Sequence, residues 1–166
     1  MIKMKVCMLG AFAVGKTSLV QQYVNSIFNE KYQTTLGVKI DKKTVQVDAH
    51  SIELILWDLA GEDEFMEVRS SYLRGSAAVI LVADGTRAET LDIAIKLKHK
   101  VYNEVGEIPF ILLVNKMDLK DNWTIDKLIL EQLENNGWKV IQTSAKDSDM
   151  VENAFQTLAC QLMQDF

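Results

Sequence analysis

The sequence predicts a three-layer α/β sandwich: a mixed six-stranded sheet with one antiparallel edge strand, covered by helices on both faces. Three observations carry this. Apolar runs alternate with longer amphipathic stretches along all 166 residues, the pattern of strands alternating with helices. The central runs are apolar throughout, as strands buried on both faces are. One pair of runs instead alternates with period two about a polar turn, the mark of a hairpin.

The elements follow in order. Residues 4–9 read as a buried strand that ends at Gly10. Residues 16–26 read as a helix, with Leu19, Val20, Tyr23, Val24 and Ile27 at helical spacing. Residues 38–47 and 52–58 form the hairpin, turning at Asp48-Ala49-His50-Ser51. The first of its strands carries Lys39, Asp41, Lys42 and Lys43. Charge protects a sheet edge from unwanted pairing, which places this strand at the edge. Residues 77–83 are an apolar strand and residues 87–103 a helix. Pro109 opens the strand 110–114. Residues 124–135 are helical and Gly137 stops them. A short strand, 138–143, and a helix, 150–164, complete the order. Pro109 is the only proline, and no linker or repeat interrupts the chain, so residues 1–166 are expected to form one domain.

Composition narrows the function. The chain is 48% hydrophobic and 25% charged, ordinary for a globular domain, which excludes a disordered or fibrous protein. The 18 Lys and Arg against 23 Asp and Glu give a net charge of −5, which argues against a nucleic-acid binder held by phosphate contacts. Cys7 and Cys160 are expected to be free thiols in a reducing cytosol. The apolar run after Met1-Ile2-Lys3 is too short to span a membrane, and Ile2 excludes myristoylation. The segment Met163-Gln164-Asp165-Phe166 holds no prenylation cysteine. The expectation is a cytoplasmic monomer without a membrane anchor in this chain, membrane-associated only through a lipidated tail beyond it.

Five motifs carry the chemistry. Gly10-Ala11-Phe12-Ala13-Val14-Gly15-Lys16-Thr17 fits G-x-x-x-x-G-K-[ST], between a strand and a helix. In such a loop the backbone N–H groups and the helix N-terminus converge on phosphate oxygens. Lys16 neutralises the terminal phosphates, and the Thr17 hydroxyl is a hard oxygen ligand for Mg²⁺. Thr35 falls in the loop before the edge strand. Asp58-Leu59-Ala60-Gly61 follows a strand; its carboxylate can hold Mg²⁺ through water and its glycine can offer an N–H to a terminal phosphate. Asn115-Lys116-Met117-Asp118 also follows a strand. A fixed carboxylate there accepts from the N1–H and N2–H₂ edge of guanine, a donor pair adenine lacks. Thr143-Ser144-Ala145-Lys146 follows the last strand, where a backbone N–H can serve guanine O6.

In this order and spacing, the motifs resemble the Ras superfamily of small GTPases over essentially the whole chain. Thr35-Leu36-Gly37-Val38, Trp57-Asp58 with Ala60-Gly61, and Ser71-Tyr72 with Arg74-Gly75 are most similar to the Rab branch. The resemblance implies the P-loop small-G-protein fold and a Mg²⁺-dependent switch that hydrolyses GTP to GDP and phosphate. It implies phosphate binding by Ala13, Val14, Gly15, Lys16, Thr17 and Ser18, and Mg²⁺ ligation by Thr17 and Thr35 with Asp58 behind a water. Phe28 matches the aromatic that packs on guanine, Asn115, Lys116 and Asp118 frame the base, and Ser144, Ala145 and Lys146 close it. Gly61 and Lys16 join Glu62 as the catalytic set. Residues 33–38 and 61–72 would be the switches that bind effectors and regulators. The edge strand 38–47 offers itself to a partner strand.

Two departures bear on rate. Glu62 stands where the family has the glutamine that orients the attacking water. A carboxylate near the γ-phosphate meets like charge, yet polarises water more strongly than an amide. Phe12 replaces a small residue; its ring either crowds an arginine finger supplied in trans or packs outward on the switch. Together they suggest slow hydrolysis, with a GTP-binding interaction module of negligible hydrolysis as the alternative. An ATP-using kinase or ATPase is the other rival, and Asp118 argues against it. Thr34 and Leu59 also depart from the family pattern and imply altered loop stiffness.

The remaining features are expected to be structural. Lys96, Lys98, His99 and Lys100 read as a solvated helix face, and His50 as a turn residue. Trp57, Trp123 and Trp138 read as packing, and Cys7 as an inert buried thiol. Arg69 and Arg74 flank the second switch.

Overall fold

The computed structural model describes residues 1–29, 37–61 and 68–165. Within them lie strands β1 (Ile2–Gly10), β2 (Val38–Val47), β3 (His50–Leu59), β4 (Ala78–Asp84), β5 (Phe110–Asn115) and β6 (Val140–Gln142). The helices are α1 (Lys16–Asn25), α2 (Ser70–Leu73), α3 (Glu89–Val105), α4 (Lys127–Asn135) and α5 (Ser148–Gln164). The six strands form one sheet in the order β2-β3-β1-β4-β5-β6. β2 runs antiparallel to β3 and sits at the edge, as its charges require; the other pairings are parallel.

The sheet is covered on both faces. Met4, Val6 and Met8 of β1 share one core with Ala78, Ile80 and Val82 of β4 and with residues of α1 and α5. The alternate residues, Cys7 and Leu9 with Val79, Leu81 and Ala83, join the core beneath α3 and α4. Both sets are buried, so the strands read as unbroken apolar runs. β1 lies between β3 and β4, where the strand order reverses. The crevice beyond the C-terminal end of β1 is therefore the expected ligand position, and the glycine-rich loop starts there.

The elements depart from the sequence reading mainly at their ends, each time for a local reason. The hairpin turn is Asp48-Ala49 alone: Asp48 adopts φ 52°, and His50 already pairs with Val47, so His50 is a strand residue. α3 starts at Glu89, two residues later than the predicted 87, because Arg87 is drawn into a turn by Asp84. α4 starts at Lys127, after the predicted 124. The Thr124 hydroxyl accepts instead from the Ala88 N–H, and Asp126 caps the helix through the Leu128 N–H. α5 starts earlier than predicted, at Ser148, because Asp147 accepts from the N–H groups of Asp149 and Met150. β6 is shorter than the predicted 138–143: Trp138 turns edge-on to Phe110, with ring centroids 5.0 Å apart. The four-residue α2 and a 3₁₀ segment, Met117–Asn122, were not foreseen.

The basic run on α3 is not a uniform solvated face. Residues two apart on a helix point in different directions. Lys96 and His99 are exposed, but the Lys98 ammonium lies 5.5 Å from the Phe110 ring, and Lys100 donates to the Val68 carbonyl. The tryptophans pack as expected: the Lys5 ammonium sits 3.7 Å over Trp57. Cys7 and Cys160 are free thiols. Cys7 is fully buried beside the Ser76 hydroxyl at 3.2 Å, and burial raises its pKa, which fits an inert thiol.

Between α1 and α5, Tyr23 stacks on Phe155 with centroids 3.9 Å apart and planes 4° from parallel. Burial, with the Glu152 carboxylate adding to it, pushes the Tyr23 phenol well above its ordinary pKa. Among the described residues the buried Tyr23 hydroxyl has no hydrogen-bond partner. Phe155→Ala is expected to cost about 3–5 kcal/mol. Tyr23→Phe is expected to be neutral or to stabilise by about 1 kcal/mol, because it removes an unmet polar group and keeps the ring. Denaturant midpoints at unchanged m-value check both.

Candidate functional site

The loop from Gly10 to Thr17 joins β1 to α1. Ala13 (φ 63°) and Gly15 (φ 104°) take left-handed backbone conformations that curl it. At Gly15 a Cβ would stand 2.3 Å from Asn115 Nδ2, so glycine is required for both shape and space. Five consecutive carbonyls are turned toward side chains. Those of Gly10 and Ala11 accept from Lys16 Nζ at 3.2 and 3.1 Å. The Phe12 carbonyl accepts from Arg87 Nη2 at 2.7 Å, that of Ala13 from Lys116 Nζ at 3.3 Å, and that of Val14 from Asn115 Nδ2 at 3.0 Å. Each peptide N–H lies anti to its carbonyl. Holding the Phe12, Ala13 and Val14 carbonyls to side chains outside the loop leaves the N–H groups that follow them free to turn toward the N-terminus of α1, which has no side-chain cap. This is an anion-binding concavity.

Lys16 is buried within it. Burial, eased by the Asp58 carboxylate and reinforced by the Arg87 guanidinium, lowers its ammonium pKa to about 8. The Thr17 hydroxyl donates to Asp58 Oδ2 at 2.7 Å, and Asp58 is fully buried. A hydroxyl and a buried carboxylate in contact form a hard-oxygen pair, and that donor chemistry fits Mg²⁺. Thr35, the other expected ligand, and Glu62 lie outside the described residues, as do Thr34 and the rest of 33–36 and 62–67 within the two expected switch segments.

The switch bases are described. The Ala60 N–H donates to the Gly37 carbonyl at 2.8 Å, extending the β2–β3 ladder one step beyond the strands. Gly61 packs so tightly that a Cβ would lie 2.5 Å from Phe12 Cα. Phe12 is 42% exposed.

The residues expected to frame a base gather on the far side of the loop. Besides holding Val14, Asn115 accepts from the Thr143 hydroxyl at 3.2 Å. Lys116 adopts φ 72°, and its carbonyl accepts from Trp123 Nε1 at 2.9 Å. Asp118 Oδ1 accepts from the Ser144 hydroxyl at 2.9 Å, and Oδ2 lies 3.5 Å from Lys146 Nζ. The Lys146 ammonium is 5.5 Å from the Phe28 ring. The Ala145 carbonyl accepts from Gln22 of α1 at 3.0 Å, tying this loop to the phosphate side. A cleft of about 480 Å³ opens among Met117, Asp118, Ser144 and Lys146. The structure thus brings together Ala13, Val14, Gly15, Lys16, Thr17, Ser18, Asp58, Gly61, Asn115, Lys116, Asp118, Ser144, Ala145 and Lys146 around the crevice beyond β1, β4 and β5, with Phe28 beside Lys146.

The sequence reading missed Asp84, Thr86, Arg87 and Gln22. Asp84 is fully buried at the end of β4, in register with Asn115. Burial pushes its pKa up. The Lys116 ammonium, the Thr86 hydroxyl and N–H, and the Arg87 guanidinium more than offset this, and hold the carboxyl below its usual range. The available signal was a lone carboxylate closing an otherwise apolar strand.

Fold and site together define a phosphate-loop α/β domain with a second loop cluster suited to a purine base. The Ras family model matches residues 5–164. The chain is 32% identical over 162 residues to the Ras-related protein Rab-7b of Mus musculus, covering 95% of this chain and 81% of that one. It is 32% identical over 162 residues to the GTP-binding protein YPT1 of Saccharomyces cerevisiae (96% and 79%). It is 32% identical over 164 residues to the Ras-related protein Rab-8B of Pongo abelii (96% and 78%). The chain belongs to the Ras family of GTP-binding switch proteins, near its Rab branch.

With Lys16 titrating at about 8, phosphate binding at this site is expected to depend on pH. An anionic ligand favours the protonated lysine and so raises its pKa on binding. Affinity for GDP is therefore expected to hold steady below about pH 7.5. Above about pH 8 it should fall by up to about tenfold per unit. Fluorescence titration with a labelled GDP between about pH 6.5 and 9.5 checks this.

Proposed function

We propose that residues 1–166 form a single G domain that binds GTP with Mg²⁺, hydrolyses it slowly to GDP and phosphate, and engages partners through segments 33–38 and 61–72 according to the nucleotide held. The observation that carries the reading is the set of loop carbonyls tied to Arg87, Lys116 and Asn115. It links the phosphate site and the base site in one arrangement. Lys16 and the N–H groups of Ala13 to Ser18 would take the phosphates. Thr17, Thr35 and Asp58 would hold Mg²⁺, which when bound neutralises charge on the phosphate oxygens. Asp118, braced by Ser144 and Lys146, would select guanine. Phe28, Ala145 and Lys146 would enclose the base.

The slow rate is read from Glu62, Phe12 and Gly61. Glu62 follows Gly61 in the sequence, at the position where the family has the glutamine that orients the attacking water, and a carboxylate brought near the γ-phosphate would meet like charge. Gly61 in turn packs on the Phe12 backbone. The protein is proposed to act as a cytoplasmic monomer. No helix among the described residues is long and apolar enough to cross a membrane.

The nucleotide released on denaturing the purified protein tests the reading. About one guanine nucleotide per chain is expected, with GTP retained as a substantial share. Adenine nucleotide in its place would overturn guanine selection by Asp118. Single-turnover hydrolysis is expected to respond weakly to an arginine-finger activator. A stimulation of ~10³-fold or more would refute the slow, finger-insensitive mechanism.

A further inference from the structure

We propose that Asp84 is the positioning residue that sets how fast guanine nucleotide leaves this protein. The proposal rests on the guanine-nucleotide reading above and assigns control of that site to a residue that lines neither the phosphate loop nor the base cleft.

Asp84 divides its carboxylate between two tasks. Oδ1 accepts from the Thr86 N–H at 2.8 Å and the Thr86 hydroxyl at 2.7 Å, which shapes the turn into α3. Oδ2 accepts from Arg87 Nε at 3.1 Å and from Lys116 Nζ at 2.8 Å. Each of those cations reaches onward to the phosphate loop, Arg87 to the Phe12 carbonyl and Lys116 to the Ala13 carbonyl. One buried anion thus anchors two cations that restrain two adjacent loop peptides. Arg87 suits the task because its fork presents Nε to Asp84 and Nη2 to Phe12 at once, which a lysine cannot do. Without the anion, two like charges share a partly buried space, and neither has a reason to stay against its carbonyl. The peptides they restrain then turn more freely, and the N–H groups lose their common aim.

Asp84→Asn separates the two tasks. It keeps an oxygen to accept from Thr86 and replaces the other oxygen with an amide that donates. GDP release from the Mg²⁺-loaded protein, followed by displacement of labelled GDP, is expected to accelerate about tenfold or more, the scale on which truncating buried charge pairs shows in off-rates. The association rate is expected to change by less than about threefold, while the nucleotide-free protein loses some unfolding midpoint because a buried, fully partnered carboxylate is removed. Arg87→Met removes one of the two tethers, so a smaller acceleration is expected. The double variant should be less than multiplicative, because both act through one anchor.

Release at the wild-type rate from Asp84→Asn overturns the proposal. So does an equal acceleration in a comparably destabilised variant remote from the loop, such as Phe155→Ala, which would make Asp84 merely structural. Should Asp84→Asn fail to fold, an unchanged rate in Arg87→Met overturns it. A wild-type chain that binds no guanine nucleotide overturns the binding reading and this proposal together. A wild-type chain that holds GDP while both variants release it normally overturns this proposal alone.

Discussion

The arrangement of this protein depends on one constraint: the carbonyls of residues 10–14 must be held by side chains, so that the N–H groups that follow them are left for a ligand. Short glycine-rich backbone does not hold that pose alone, because peptides there rotate at little cost. Here the pose is imposed from outside, by Lys16 from the next helix, Arg87 from the turn before α3, and Asn115 and Lys116 from the end of β5. The sheet order makes this possible. β4 lies beside β1 and β5 beside β4, so Asp84 and Asn115 arrive in register a short step from Gly10. Strand order, more than any property of the loop itself, lets segments about a hundred residues apart in sequence act on one turn.

The local electrostatics run against the global balance. A chain of net charge −5 concentrates Lys16, Arg87, Lys116 and Lys146 around the crevice. Buried Asp58 and Asp84 keep those cations from repelling one another apart. The result is an anion site with fixed geometry, where the wider surface offers phosphate no advantage. This is why an acidic composition argues against a polynucleotide and says nothing against a single nucleotide.

The fold was legible because its signals are collective. Apolar runs such as those of β4 and β5 need burial on both faces whatever their exact residues, and the lysines of β2 could be tolerated only at an edge. The motif residues were legible because phosphate, magnesium and guanine chemistry restrict residue types at fixed spacings. What escaped was decided by single tertiary bonds. Arg87 has the propensity to open a helix, but the Asp84 carboxylate pulls it into a turn. Thr124 would extend α4 by pattern, yet its hydroxyl serves the Ala88 N–H across a loop. Asp84 is one residue at a strand end, and its role depends on Lys116 arriving from a separate segment. Lys98 and Lys100 sit in a charged run that reads as solvated, until Phe110 and the Val68 carbonyl are placed beside them.

The ladder between β2 and β3 does not stop where the strands do. The Ala60 N–H reaches the Gly37 carbonyl and adds one rung beyond the strands. One hydrogen bond of this kind has a net worth of about 0.5–1.5 kcal/mol. A bound molecule that parts Gly37 from Ala60 must overcome that amount. On a two-state scale this is roughly a 2- to 12-fold bias in population. The rung thus holds Gly37 and Ala60 together by a modest margin, small enough for a single added contact to reverse.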